Sequence, residues 1–257
     1  MNRVHKVDLE LLSSTAITGA LASPYWRVSV IEETSSTQTL LRESNPTPGS
    51  VIATEFQSAG RGRLDRTFDA PKSSALLFSF YIEPKLEKDK FGFISLIAGL
   101  ATAKSISELT KNNKFECKWP NDLLFDGKKV AGLLAEVYGD GIIVGIGINV
   151  STLQAQLPVP TATSIFIATG QIINRNNLLT KLLENFEGLL KAYEAGEDLI
   201  STYVSKCGTI GREVLATLPG GTEVRGIATA IDSSGGLILD SGAVITVGDL
   251  IHLTNYK

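Results

Sequence analysis

Two long alternating apolar runs, residues 130–138 and 141–150, meet at Tyr138-Gly139-Asp140-Gly141. Period-two alternation marks strands, and a glycine-rich tight turn between two such runs marks a hairpin, with its strands side by side and antiparallel. The second run contains Gly145-Ile146-Gly147-Ile148-Asn149. A dinucleotide-binding glycine turn opens a helix, whereas these glycines lie inside a strand, so a Rossmann reading fails. Alternation puts Gly145, Gly147 and Asn149 on one face and Val144, Ile146 and Ile148 on the other. Two successive positions without side chains leave a flat slot, with Asn149 as a polar marker at its end. Either a ligand or a tightly packed helix could cover such a slot.

Upstream, residues 55–71 read E-F-Q-S-A-G-R-G-R-L-D-R-T-F-D-A-P. Arg61, Arg63 and Arg66 share a loop with Gly60 and Gly62, between alternating runs at 51–56 and 75–82. Glycines free the backbone, and guanidinium groups fork onto carboxylates and phosphates in a way lysine cannot copy. A cationic loop pinned by two strands suits an anionic ligand that is wrapped and then released. A solvated basic loop is the plainer alternative. An RGG-type nucleic-acid tail is disfavoured because the pattern does not repeat.

The rest of the chain bounds these readings. At 257 residues it can hold one large domain, or a domain plus a small module. A formal net charge of -3 argues against a general nucleic-acid binder. Cys117 and Cys207 are too few for a disulfide scaffold or a cysteine zinc site, and His5 and His252 lie at opposite ends. The best apolar run in a helical pattern, 91–103, is expected to be too short for a membrane span. Asp8 and Glu10 stand where a secretion signal needs an apolar core. A cytoplasmic protein is expected.

In chain order, the pattern predicts a short helix at 8–14, a strand at 28–33 and a helix at 37–44 capped by Ser36, with Leu40 and Leu41 inward. Asn45-Pro46-Thr47-Pro48-Gly49 stops that helix. Apolar residues at 91, 94, 97, 98, 101 and 106 predict a largely buried helix over 90–110. A strand at 115–119 follows, then the hairpin, a short helix at 164–170, a helix at 177–195 capped by Asn176, and another at 198–206. After Gly208 the texture changes to short strands cut by Pro219-Gly220-Gly221, Ser233-Ser234-Gly235-Gly236 and Ser241-Gly242. That spacing predicts a small all-β barrel of about fifty residues, with a boundary at 208–211.

Two further stretches carry chemistry. In Lys118-Trp119-Pro120-Asn121-Asp122 the proline blocks ladder pairing and bends a strand end, turning Lys118, Asn121 and Asp122 to one rim. In Asp126-Gly127-Lys128-Lys129-Val130-Ala131-Gly132 a lysine stands at the mouth of a strand, where Ala131 and Gly132 keep bulk away.

Taken in order, S-T-Q at 36–38, Q-S-A-G-R-G-R at 57–63, K-W-P-N-D at 118–122, K-V-A-G-L-L at 129–134 and G-I-G-I-N at 145–149 resemble the biotin protein ligase family. The resemblance implies an α+β fold: a mixed β-sheet flanked by helices, of the class II aminoacyl-tRNA synthetase/biotin ligase type, in residues 1–208. A C-terminal SH3-like β-barrel would fill 209–257. It implies an ATP-dependent ligase that joins biotin to ATP as biotinyl-5′-AMP and passes biotin to a lysine of a biotin carboxyl carrier domain of a carboxylase. Lys129, Arg61 and Arg63 are then catalytic. Ser36, Thr37, Gln38, Gln57, Gly60, Gly62, Gly132, Gly145 and Gly147 complete the biotin site with them. Arg63, Arg66, Phe68, Lys118, Asn121 and Asn149 hold ATP, with Mg2+, and Phe68 stacks on the adenine. The loop is expected to order around the intermediate.

This chain departs from the family pattern in three places. Asp65-Arg66-Thr67-Phe68 replaces a common Gly-Arg-x-Trp, and Leu253-Thr254 stands where an arginine often follows the last strand. Too few residues precede the first strand for the winged helix-turn-helix of the repressor members, so no nucleic-acid partner and no repressor function are expected. A lipoate-type ligase and a catalytically silent biotin- or nucleotide-binding module are the alternatives. The chemistry suits the residues: a carboxylate attacking an α-phosphate joins two anions, so positive charge is the main requirement and no catalytic histidine is needed.

Overall fold

The computed structural model describes residues 10–63 and 66–253; His5, Asp65 and Thr254 lie outside them. Helix α1 (Ser14–Ala20) leads to strand β1 (Arg27–Thr34), helix α2 (Thr37–Glu43) and strand β2 (Ser50–Gln57). Strand β3 (Ala75–Ile82), helix α3 (Gly92–Thr110), strands β4 (Phe115–Lys118) and β5 (Asp122–Phe125), and the hairpin β6 (Lys128–Tyr138) and β7 (Gly141–Asn149) follow. Helices α4 (Ile165–Thr169), α5 (Arg175–Glu194) and α6 (Leu199–Lys206) precede a second group of strands. These are β8 (Glu213–Thr217), β9 (Glu223–Ile231), β10 (Leu237–Leu239), β11 (Val244–Ile245) and β12 (Asp249–His252).

The first seven strands form one mixed sheet in the order β1-β2-β3-β7-β6-β5-β4, parallel only between β1 and β2. Every residue of β3 is buried, because both faces of the sheet are covered. Leu76, Phe78, Phe80 and Ile82 face the main core with α3 and α5, while Tyr81 packs with Leu41 of α2 on the other side. Helix α3 lies in that core with most of its surface buried, and Lys104 on its outer side is exposed. Its hydroxyls stay satisfied by bonding back along the helix: Thr102 to Ala98 O, Ser105 to Ala101 O and Thr110 to Ile106 O, each at 2.7 Å. It fills the helix expected at 90–110; at nineteen residues it is longer than the apolar run at 91–103, and by length and composition alone it could cross a membrane. Its burial against the sheet and α5 accounts for the apolar surface instead.

The described residues correct the sequence reading in several places. Residues 10–13 are not helical; α1 begins at Ser14, capped by Ser13. Helix α5 is capped by Asn174, whose side chain accepts from Asn177 N. Asn176, expected as the cap, is buried and pins the N-terminal segment: its Oδ1 accepts from Ser13 N and its Nδ2 donates to Leu11 O. Strand β5 was not foreseen, because four residues between a proline bend and the Asp126-Gly127 turn carry too little pattern. Leu40 is only half-buried, and Leu41 is the inward residue of α2.

The last five strands form an antiparallel sheet in the order β11-β10-β9-β8-β12. Its inward residues, among them Val214, Ala216, Leu237 and Leu250, join the same hydrophobic cluster as the large sheet. Trp119 is the rivet between the two. It is 1% exposed, its Nε1 donates to Gly235 O at 2.9 Å, and its backbone N donates to Thr209 Oγ1 at 3.0 Å.

Candidate active site

The register of the large sheet sets out the site in rows. Leu77, Gly147, Gly132 and Asp122 lie side by side across β3, β7, β6 and β5, and the next row runs Ser79, Gly145 and Leu134. A third row carries Tyr81, Ile143 and Glu136. Above the first two rows opens a cleft of about 290 Å³, walled by the N-terminus of α2, the glycine–arginine loop, the β4–β5 bend and residues 248–251.

One end of the cleft is neutral and buried. Ser36 caps α2, its Oγ accepting from Thr39 N. Thr37 donates to Gln57 Oε1 from both N and Oγ1, at 2.8 and 3.0 Å. Its hydroxyl proton being spent there, the 2.8 Å contact with Ser79 Oγ is donated by the serine. Gln38 lies over Gly145, where a Cβ would fall 2.2 Å from its Oε1. At Gly147 a Cβ would fall 2.7–2.9 Å from three ring carbons of Phe68. Two side chains therefore cover the glycine slot: Gln38, from the first turn of α2, over Gly145, and Phe68, from the loop, over Gly147. Phe68, expected against an adenine, rests its ring on Gly147 and packs with Ala70, Ala75 and Leu77.

The other end is cationic. The Trp119–Pro120 peptide is cis, and Asn121 beyond it is bolted to β6: its Nδ2 donates to Leu133 O at 2.8 Å and its O accepts from Leu133 N at 2.9 Å. Its Oδ1 is left to accept from Arg63 Nη1 at 3.3 Å. Lys129 Nζ stands 2.6 Å from Asp122 Oδ1, an oxygen with no directed hydrogen bond that is satisfied by charge. Lys118 faces the same space. Burial pulls its ammonium below the ordinary lysine value, with Asp122 and Asp249 opposing and Lys129 and Arg66 adding to the fall. Burial likewise lowers Arg63.

The loop is a short ribbon. Gly62 N donates to Arg66 O at 2.7 Å and Phe68 N to Gly60 O at 3.1 Å. Arg61 reaches Glu136 through both terminal nitrogens, at 3.1 and 3.0 Å, and Arg66 grips both carboxylate oxygens of Asp249.

Of the residues singled out from the sequence, the cleft gathers Ser36, Thr37, Gln38, Gln57, Arg61, Gly62, Arg63, Arg66, Phe68, Lys118, Asn121, Lys129, Gly132, Gly145 and Gly147. It does not gather Gly60 or Asn149. Gly60 serves the ribbon, and a Cβ there would fall 2.3 Å from Phe68 O. Asn149 is buried at the end of β7, donating to Thr163 O at 3.1 Å. The structure adds Ser79 and Asp249 to the lining, and beside it Glu136, which holds Arg61. Glu136 was within reach of the sequence, since alternation from Gly132 through Leu134 puts it on the slot face. Asp249 was not, because only the docking of the second sheet brings it there.

A family model described as biotin/lipoate A/B protein ligase matches residues 29–152, and a biotin protein ligase C-terminal domain model matches 209–252. The biotin–[acetyl-CoA-carboxylase] ligase of Mycobacterium tuberculosis is 35% identical over 240 residues, covering 89% of this chain and 90% of that protein. The chain belongs to the biotin protein ligase family. The bifunctional ligase/repressor of Escherichia coli is 27% identical, over 92% of this chain and 76% of that protein. The Aquifex aeolicus biotin protein ligase, solved in complex with biotin and ATP, superposes with a TM-score of 0.78 at 31% identity, covering 88% of this chain and 98% of that one. The ligase fold expected from the motifs, a mixed sheet flanked by helices with a small SH3-like C-terminal sheet, is the fold of this chain.

Proposed function

We propose that this ligase uses its cleft to adenylate biotin with ATP and then to transfer biotin to a lysine of a carrier domain. The observation that carries the reading is the division of one cleft into a neutral, buried hydrogen-bonding end and a cationic end. An uncharged fused-ring amide with an acidic tail needs the first for its rings. The second is where a carboxylate and an α-phosphate, both anionic, can be brought together.

In the first half-reaction a carboxylate oxygen forms a bond to the α-phosphorus, and the bond to pyrophosphate breaks. Lys129 neutralises the joining anions, and Arg63 and Lys118 add charge beside it. Thr37, Gln57, Ser36 and Gln38 hold the ring system, while Asn121 fixes the β4–β5 bend that carries Lys118. In the second half-reaction the carrier lysine's amine attacks the carbonyl carbon, AMP leaves, and the ammonium proton is lost to solvent. Arg61, Arg66 and Phe68 belong to the same site by proximity.

Magnesium fits this reading as the counter-ion that ATP brings. No group of three His, Cys, Asp or Glu side chains stands together among the described residues. Asp122 and Asp249 are already tied to Lys129 and Arg66. Magnesium usually keeps several waters and binds through phosphates, so a protein cage is not required. The division into a catalytic part, 1–208, and a C-terminal part, 209–257, belongs to the same proposal. A cytoplasmic home does too, and the unpaired thiols of Cys117 and Cys207 suit a reducing compartment.

Exchange of labelled pyrophosphate into ATP tests the reading. Exchange that depends on biotin supports it, exchange that depends on lipoate transfers the site to the other branch of the family, and no exchange with either leaves a binding module.

A further inference from the structure

Beside the cleft, one row beyond Leu134 of its wall, stands a carboxylate that the proposed chemistry does not use. Glu136 accepts four hydrogen bonds: two from Arg61, at 3.1 and 3.0 Å, one from Arg42 Nη2 at 3.0 Å and one from Gln38 Nε2 at 3.1 Å. Burial alone would raise its carboxyl, but Arg61, Gln38 and Arg42 outweigh burial and hold it below the usual range. It is therefore ionised at neutral pH. Arg42 is fixed from a second side, its guanidinium 5.4 Å from the centre of the Tyr138 ring. Glu136 thus ties three elements together: strand β6, helix α2 through Arg42 and Gln38, and the loop through Arg61.

This contact limits what Arg61 can do. Its two terminal nitrogens are committed end-on to one carboxylate, which leaves only the Nε edge for a second anion. Arg66 is committed likewise to Asp249. Among the described residues, Arg63 donates only to the neutral oxygen of Asn121, at 3.3 Å. We propose that Glu136 is a positioning residue that anchors Arg61, so that Arg61 closes the loop over the neutral end of the cleft while Arg63 receives the anionic ligand. The proposal rests on the ligase reading for the identity of that ligand. It does not rest on it for the anchor itself.

A double-mutant cycle on Arg61 and Glu136 tests this, with two readouts. The first needs no ligand: hydrogen exchange at the amides of Gly62 and Phe68, which bond within the loop. Arg61→Ala, Glu136→Ala and the double variant should all speed exchange to the same extent, because all three lose the same Arg61–Glu136 contact. The second is the dissociation rate of biotinyl-AMP, which should rise by roughly ten-fold in each single variant and no further in the double. Arg63→Ala should multiply that effect. Glu136→Gln, which keeps the shape, guards against misfolding of the alanine variant and should fall between it and wild type.

The proposal is overturned if Glu136→Ala leaves loop exchange unchanged. It is equally overturned if Arg61→Ala speeds dissociation far more than Glu136→Ala and the effects multiply, since Arg61 would then grip the ligand itself. Wild-type protein that performs no biotin-dependent exchange would defeat the ligase reading, while the amide measurement would still decide the anchor.

Discussion

The two ends of the cleft are built on opposite principles. At the neutral end, Thr37, Gln57 and Ser79 satisfy one another within the sheet and the first turn of α2, and all three are buried. At the cationic end, Lys118, Lys129 and the arginines stand on strand mouths, a bend and a loop, and all are partly exposed. Neutral hydrogen bonds hold their strength only where water is kept out, so they belong on rigid, packed elements. Unpaired charge cannot be buried cheaply, so cations meant for a transient anion stay near solvent and lean on local carboxylates meanwhile. One cleft can therefore recognise shape at one end and handle charge at the other.

The sharpest test of this contrast is Lys129→Ala. Adenylation, measured by pyrophosphate exchange, should fall by ~10² or more, as when a charge contact to a transition state is lost. Biotin binding measured without ATP should stay within a few-fold. If biotin affinity collapses equally, the ends are not separate.

Thr37→Val probes the opposite end. It removes the hydroxyl that bonds Gln57 and Ser79 while keeping the volume, at a cost of about 1–2 kcal/mol in a buried network. Biotin affinity measured by calorimetry should weaken by roughly ten-fold, with the ATP KM unmoved. A matching rise in ATP KM would erase the distinction.

Acid should loosen the cationic end first. His252 sits at the seam between the two sheets, its Nε2 3.0 Å from Thr209 Oγ1, which in turn accepts from Trp119 N. Burial, with Lys118 and Arg212 adding to it, lowers its pKa from 6.5 to about 4. As pH falls from 6.5 towards 4, the unfolded chain takes up a proton that the folded seam resists, so stability declines through that window. A neutral imidazole with a bare Nε2 accepts from Thr209, whereas the protonated ring only donates to it. ATP KM should rise by a few-fold across the window, and His252→Gln should flatten that rise. An unchanged profile in the variant would count against the seam.

The smallest expected effect is that of salt. Raising ionic strength should weaken ATP binding by about two- to three-fold, because exposed charges are screened within about 10 Å at 0.1 M salt. Biotin binding should scarcely respond. Equal sensitivity would mean that charge reaches the neutral end.

The motifs were legible because each sits where local rules are strong. Ser36 caps α2 as its side chain predicts, and the hairpin at 138–141 follows from alternation and glycine placement. Alternation also put Gly145 and Gly147 on one face. It could not say what would cover them, since Gln38 and Phe68 arrive from distant parts of the chain. Asn149 stands at the end of the same glycine face but outside the cleft lining, and only the tertiary fold brings Thr163 O to its Nδ2. Asn174 and Asn176 are equivalent as caps by residue type, and the choice between them falls to Ser13 and Leu11, which engage Asn176.

The sequence by itself determined the strands of the hairpin, the capped helix α2, the change of texture near 208 and the company of residues around the cleft. All of these rest on periodicity, turn chemistry and motif order, which act over a few residues. The pairing of the charges follows instead from the packing of distant segments. Glu136 takes Arg61, Asp249 takes Arg66, Asp122 takes Lys129, and the buried Glu55 faces Arg175 at 2.7 Å. Coulombic pairing depends on distance and local dielectric, and both are set by which sheets and loops pack together. A carboxylate placed by strand alternation has no marked partner until the loop folds over it.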